Sequence, residues 1–530
     1  MRLVKIYDTT LRDGAQAEDV AFSVDDKVKI AKKLDELGVH YIEGGWPGAN
    51  PKDSKFFKGI KKSQFNIAKL VAFGSTRRSG KTPENDEQIK ALLEAKTDAL
   101  TIVGKSWDIH VTQALGIELT ENLDMIYDTF AYLKGKTGEL FFDAEHFFDG
   151  FKANPDFALA TLKKAEDAGV DCLVLCDTNG GVMPWELEKI IERVKSEVKI
   201  PFGIHCHNDN GLGLANTLAG VQMGAIQVQG TINGMGERCG NTDICSIIPN
   251  LKIKMDIECI SDRQMGKLRE VSRFVDEMAN RVPNKHNPYV GDSAFAHKGG
   301  IHASAVAKNP LTYEHINPSL VGNKQRVLVS DQSGLSNIKF KAKQFGVDLT
   351  SEEEGAKELV KNVKGLEEKG YQFEGADASF ELLMNRTLGR YKPYFRLRGF
   401  RIIVERRMAD IEPLSEATVI IDVDGRIEHT AAMGNGPVNA LDNAIRKALM
   451  KFYPELADMK LLDFKVRVLT TENATAATVR VLIESGDDEE SWETVGVHEN
   501  IIQASWTALV DSIEYKLYKD EKKRQALEEN

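Results

Sequence analysis

Two histidines one residue apart, His205 and His207, are the first side chains in this sequence able to do chemistry together. They lie in Ile204-His205-Cys206-His207-Asn208-Asp209, after an apolar run (198–203) that reads as a strand. Side chains alternate along a strand, so both imidazoles point one way and Cys206 the other. Separated by about 7 Å of strand rise, they can converge on one metal ion. Two buried histidines satisfied by their neighbours would give the same pattern. Position favours the metal, because the pair stands where a strand gives way to a loop, and parallel α/β folds build their sites there.

The elements that must position this pair are short apolar strands alternating with amphipathic helices. Strands are predicted at 3–7, 39–43 and 67–73, and from residues 99, 139, 172, 200 and 226. Helices are predicted at 25–37, 84–95, 154–168 and 184–198. Eight strands in about 230 residues match a (β/α)8 barrel. A doubly wound open sheet would place G-x-G-x-x-G after the first strand. The chain has Asp8-Thr9-Thr10-Leu11-Arg12-Asp13-Gly14 there. The fold class expected is α/β, a TIM barrel over residues 1–255.

Polar residues at the carboxyl ends of barrel strands share one mouth. Arg12 and Asp13 follow strand one, Glu43 strand two, and Ser75-Thr76-Arg77-Arg78 strand three. Glu145 and His146 follow strand five, Asp177-Thr178-Asn179 strand six, and residues 233–241 strand eight. Asp13, His205, His207 and Asn241 then offer a carboxylate, two imidazoles and an amide oxygen. That mixed set suits Mn²⁺, Mg²⁺ or Co²⁺, with zinc as an alternative.

Composition narrows the class. At 530 residues the chain has room for several domains, and its 42% hydrophobic and 28% charged residues are ordinary for a soluble globular protein. A net charge of −11 argues against nucleic acid as a partner. No apolar run approaches a membrane span. No apolar signal core precedes the first strand, and the six cysteines fit reduced thiols. A cytoplasmic protein is expected.

Residues 256–390 lose the strand pattern and read as helical accessory segments, with helices at 263–281, 351–369 and 376–388. From residue 391 to 530 a βββα unit occurs twice, an α+β domain. Its strands are predicted at 401–406, 416–423 and 426–432, then 461–469, 476–483 and 491–497; its helices at 438–452 and 500–518. One unit cannot bury both faces of its sheet, so the two should pack together and pair across a homodimer. With no catalytic cluster, this region reads as a regulatory, small-molecule-binding and dimerising domain.

Three stretches then resemble a known family. They are Asp8-Thr9-Thr10-Leu11-Arg12-Asp13-Gly14, His205-x-His207-Asn208-Asp209 and Gly234-x-Gly236-Glu237-Arg238-x-Gly240-Asn241. All are similar to signatures of the 2-isopropylmalate, homocitrate and citramalate synthase family, metal-dependent TIM-barrel enzymes that condense acetyl-CoA with a 2-keto acid. Glu43-Gly44-Gly45-Trp46-Pro47-Gly48, Glu145-His146-Phe147-Phe148-Asp149-Gly150 and Arg390-Tyr391-Lys392-Pro393 are most similar to its citramalate branch. Ala15-Gln16 stands where the isopropylmalate branch usually has Glu-Gln.

The resemblance implies acetyl-CoA, pyruvate and water as substrates, and feedback by an end-product amino acid, isoleucine, at the C-terminal domain. A 2-keto acid chelates a metal, which polarises its carbonyl. Arg12 beside that oxygen would stabilise the alkoxide, and Thr178 would hold the keto-acid carboxylate. Glu145, His302 and Tyr313 are the candidates for moving the acetyl proton. The alternatives are an isopropylmalate or homocitrate synthase, a lyase of the same superfamily, or an inactive amino-acid-binding regulator.

Overall fold

The computed structural model describes residues 2–60, 65–330, 333–349, 352–406, 413–469 and 477–528. Eight parallel strands close in chain order. They are β1 Lys5–Asp8, β2 Tyr41–Glu43, β3 Lys69–Ser75, β4 Ala99–Lys105, β5 Glu139–Glu145, β6 Cys172–Asp177, β7 Phe202–Cys206 and β8 Gln227–Gly230. The ring is sealed by β8 against β1, with Lys5 opposite Gln227 and Asp8 opposite Gly230.

Alternation sorts each strand into two faces. Along β5, Leu140, Phe142 and Ala144 are buried in the main core. Phe141 instead joins Tyr7, Tyr41, Val71, Ala99 and Cys172 in a separate small cluster that fills the barrel interior. The interior is not wholly apolar: Tyr7 donates to Glu43 Oε2 at 2.6 Å and shares a hydrogen bond with Thr101 at 2.7 Å.

Local chemistry explains where elements begin and end. Helix Val24–Leu37 starts with a capping box between Ser23 and Asp26 and ends at Gly38, whose φ of 87° suits only glycine comfortably. β3 begins at Lys69, two residues later than the apolar pattern suggests. The reason is Asp35, whose carboxylate accepts the backbone N–H groups of Asn66, Ile67 and Ala68 at 2.8–2.9 Å and so withholds them from the sheet. The helix expected over 263–281 divides into Asp262–Met265 and Leu268–Met278, with Gly266 in the gap.

The described residues pack as two compact units, Met1–Phe295 with Ile316–Gln325, and Ala296–His315 with Arg326–Asn530. In the second, β9 Ala296–His297 pairs in parallel with β10 Arg326–Val327, a two-residue ladder too short to show in the sequence. Helices Leu335–Gln344, Glu353–Glu368 and Asp377–Thr387 follow. Two antiparallel sheets come next: β11 Arg396–Glu405, β12 Leu414–Val423 and β13 Arg426–Gly434, then β14 Lys460–Val468, β15 Val479–Gly486 and β16 Ser491–His498. Helix Pro437–Leu449 follows the first sheet and helix Ile501–Glu528 the second, and both contribute to one core. The expected element starts at Ser351 and Ala476 lie outside the described residues.

The β12–β13 hairpin turns on Asp424 and Gly425, with φ of 48° and 83°, as a two-residue loop with both φ positive requires. The last helix runs ten residues past the expected end at Tyr518 because the tail is built of strong helix formers with an i,i+4 pair, Lys516–Asp520. Helix Asp377–Thr387 is tied into this C-terminal fold. Asp511 accepts from Ser379 and Arg386 at 2.8 Å each, Glu514 accepts from Arg386 at 3.0 Å and from Tyr391, and Ser379 Oγ accepts the Val495 N–H.

Asp8 ends β1 fully buried, its carboxylate accepting the Thr10 N–H and hydroxyl at 2.9 Å each. Burial outweighs those bonds and pushes its carboxyl up to about 7. The folded state therefore holds this proton more tightly than the unfolded chain. The resulting stability is complete below the unfolded value of about 3.9 and is lost as pH rises towards 7. Asp8→Asn keeps an acceptor for Thr10 without the charge. It is expected to flatten the fall of Tm between about pH 4 and 7, and parallel Tm profiles for both proteins would contradict the assignment.

Candidate active site

The strand after His205 is prolonged by a second segment rather than ended. His207 forms an isolated antiparallel bridge with Asn241, the Thr242 N–H donates to the Cys206 carbonyl at 3.0 Å, and the Asn208 N–H to the Gly240 carbonyl at 2.9 Å. This pairing places Asn241 beside the histidines. Its fit depends on two glycines. A Cβ on Gly236 would lie 2.2 Å from Asn241 Nδ2, and one on Gly240 1.9 Å from the Gly234 carbonyl oxygen. The glycine spacing of residues 234–241 is thus a steric requirement of the site.

Asp13 meets this edge from the β1 loop. His205 Nε2 lies 3.6 Å and His207 Nε2 3.9 Å from Asp13 Oδ2, and the three donor atoms all fall within 4.8 Å of one another. All three residues are buried, with at most 5% of their surface exposed. Burial works against the Asp13 charge, but Arg12, both histidines and the Asn241 amide hold its carboxyl at about 2. Burial lowers both imidazoles, His207 to about 4, so each is neutral at pH 7. A carboxylate and two neutral imidazoles are the protonation states that bind a divalent metal.

Asn241 Nδ2 donates to Asp13 Oδ1 at 3.0 Å and to the Met235 carbonyl at 3.1 Å. Its Oδ1 is buried with no hydrogen-bond partner among the described residues. An orphaned buried acceptor is costly and is what a cation would satisfy. Asp13, His205 and His207 are brought together and fit a metal, and Asn241 adjoins them through the bond from its amide to Asp13.

Arg12 stands next to them, locked on three sides. Its Nε donates to Glu43 Oε1 at 2.6 Å, its Nη1 to Asp13 Oδ2 at 3.2 Å, and its guanidinium lies 3.9 Å from the centre of the Phe73 ring. Burial opposes its charge, yet Glu43 and Asp13 more than offset this and keep it protonated. Burial, with the Glu43 charge nearby, pushes the carboxyl of Asp143 up.

Arg12, Asp13, His207, Glu145 and Thr178 all line one cavity of about 530 Å³, walled also by Trp46, Phe73, Val103 and Met125. Glu145 accepts from Lys105 in the same wall. The His146 N–H donates to Thr178 Oγ1 at 2.9 Å, from a residue held at a φ of 54°. Arg77 is occupied by Glu121 and Asp128 at 3.0 and 2.8 Å, while Arg78 stands at the exposed rim. His302 and Tyr313 belong to the second unit, where their rings lie tilted against each other with centroids 4.2 Å apart. His297 there bonds Glu314 at 3.1 Å.

The motifs had not shown what holds the site. Glu43, expected only at the mouth, is fully buried as the anchor of Arg12. Arg238 joins three loops by donating to both carboxylate oxygens of Asp209 and to the Thr178 carbonyl. Asp143 and Gln229 lie in the barrel interior. Strand alternation marks Asp143, two residues before Glu145 on the same face, as the signal that would have found it.

A closed parallel barrel with a buried carboxylate–imidazole–imidazole cluster at the carboxyl ends of its strands defines a metal-site (β/α)8 protein. Residues 3–275 match the HMGL-like family, 289–371 the homocitrate synthase post-HMGL domain-like family, and 374–517 the LeuA allosteric (dimerisation) domain. Over 98% of its length the chain is 61% identical to an (R)-citramalate synthase of Geobacter sulfurreducens, covering 99% of that protein. It is 54% identical to one of Aquifex aeolicus, with 98% of each chain covered. Identity is 32% to a 2-isopropylmalate synthase of Methanocaldococcus jannaschii, over 98% of this chain and 96% of that one. The chain belongs to the (R)-citramalate synthase family.

His207→Ala and Asp13→Ala are each expected to remove Mn²⁺ binding and to lower kcat/KM by on the order of 10³-fold or more, as loss of several kcal/mol of Lewis-acid stabilisation implies. The far-UV spectrum should be unchanged. Full activity of either variant in chelator-treated buffer would sink the assignment.

Proposed function

We propose that this chain condenses acetyl-CoA with pyruvate and water to give (R)-citramalate and CoA, a first step from pyruvate towards isoleucine. The observation that carries this reading is the buried Asp13–His205–His207 cluster, whose Asp13 and His207 line one cavity with the Arg12 guanidinium and Thr178. Mn²⁺, Mg²⁺ or Co²⁺, with Zn²⁺ as the alternative, would be held by Asp13, His205, His207 and Asn241. When bound, the ion supplies Lewis-acid polarisation of the keto-acid carbonyl.

The protein's own groups supply the rest. Arg12 faces the negative charge that develops on the keto oxygen, and because Glu43 and Phe73 already fix its plane, no reorganisation is needed. Thr178 accepts the His146 N–H, which leaves its own O–H to donate to the pyruvate carboxylate. Glu145, which pairs with Lys105, is one candidate to take a proton from the acetyl methyl, and His302 and Tyr313 of the second unit are the other two. Residues 374–517 would join two copies in a homodimer and carry feedback by isoleucine. The six cysteines are all free, which suits a cytoplasmic enzyme.

A second carboxylate, as in 2-oxoglutarate, needs a cation of its own. Arg77 and Lys105 are already paired with Glu121, Asp128 and Glu145, which leaves Arg78 at the rim. The choice of pyruvate therefore rests on the similarity to citramalate synthases rather than on charge. A pocket fitted to a methyl excludes the isopropyl group of 2-oxoisovalerate by overlap. With acetyl-CoA and Mn²⁺ saturating, kcat/KM followed by CoA release should be highest for pyruvate, by at least tenfold. A higher value for either other acid would replace the assigned substrate while leaving the condensation in place. In the same assay isoleucine should inhibit the full-length enzyme. Indifference to isoleucine, leucine and valine alike would remove the regulatory reading.

A further inference from the structure

Gln229 and Asp143 take no part in the reaction as drawn, yet both are buried in the barrel interior, with 0% and 4% of their surface exposed. Gln229 lies directly opposite His205 in the β7–β8 ladder. His205 Nδ1 is 2.8 Å from Gln229 Oε1. The other end of the same amide, Gln229 Nε2, donates across the interior to Asp143 Oδ1 at 3.1 Å.

An amide has one accepting end and one donating end, so fixing one end fixes the other. With its NH₂ group spent on Asp143, Gln229 offers His205 only an oxygen. His205 must then carry its proton on Nδ1, and the lone pair is left on Nε2, the nitrogen facing Asp13. Turning the amide round would set NH₂ against Nδ1, force the proton onto Nε2 and close the metal position. The orientation is the one the two contacts show together: Nε2 donates to Asp143 Oδ1 while Oε1 faces His205 Nδ1.

We propose that Gln229, oriented by Asp143, is a positioning residue that selects the metal-binding tautomer of His205. The proposal rests on the metal reading of Asp13, His205 and His207 and adds to it the group that sets the hydrogen position. Outer partners of ligating histidines commonly set metal affinity within a factor of about 10–100.

The test is titration of the metal-stripped, full-length protein with Mn²⁺ alone, read as free ion by electron paramagnetic resonance. Gln229→Leu fills similar space without an acceptor and is expected to weaken Mn²⁺ binding by about 10–100-fold. Gln229→Glu keeps an acceptor against Nδ1 and should stay within about threefold of the wild type, a rescue that packing alone would not produce. Wild-type affinity in Gln229→Leu overturns the proposal while leaving the metal site intact. So does a Glu variant that binds as weakly as the Leu variant although both unfold at the wild-type temperature. A wild-type protein that binds no Mn²⁺ overturns the metal reading and the proposal with it. If Gln229→Leu does not fold, Gln229→Met supplies the same comparison of affinity without an acceptor.

Discussion

Pairing β8 with β1 is the constraint on which the barrel unit depends, because it joins residues more than two hundred positions apart in sequence. With Asp8 set opposite Gly230, the loop that carries Arg12 and Asp13 is delivered to the edge that carries His205, His207 and Asn241. A slip of one residue would turn each inward side chain outward. Bonds outside the ladder guard against that slip. The Thr9 N–H and hydroxyl both donate to the Gly230 carbonyl, and the Ile232 N–H donates to Thr10 Oγ1, so the loops beyond the strands hold the same alignment.

Inside the closed ring, charge is arranged rather than avoided. Glu43 is fully buried and would be costly alone, but it accepts from Arg12 and Tyr7 at 2.6 Å each. The cost of taking such charges out of water offsets much of their attraction, so the set adds little net stability, yet removing one member would leave another buried and unpaired. Here the fixed object is the Arg12 plane, held between Glu43, Asp13 and Phe73. An interior of hydrophobic side chains alone would pack as well and would leave the guanidinium free to turn.

Much of this architecture is legible in the sequence, and the parts that are not share a cause. Strand and helix periodicity gives all eight barrel strands, and the spacing in His205-x-His207 and in residues 234–241 gives the metal edge. Where β3 begins is hidden because Asp35, thirty-odd residues away, claims its first N–H groups. Alternation marks Asp143 as facing inward, but its bond to Gln229 follows only from ring closure, which puts the two across from each other. Glu145 is legible as a mouth residue, but its pairing with Lys105 follows from β4–β5 register. Local propensity marks elements, while partners are fixed by contacts that no local window contains.

The bonds that tie helix Asp377–Thr387 and Tyr391 to the last helix bear on how such a chain can be inherited. Asp511 and Glu514 are buried and rely on Ser379, Arg386 and Tyr391, more than a hundred residues upstream. A crossover between two relatives at residue 391 would pair one parent's Arg386 with the other parent's acids. Unless both parents kept the same set, it would strand a buried charge at a cost of about 3–5 kcal/mol. Exchange of the C-terminal sheets between lineages is therefore easiest when the breakpoint falls upstream of residue 377, so that the helix travels with its acids as one heritable block.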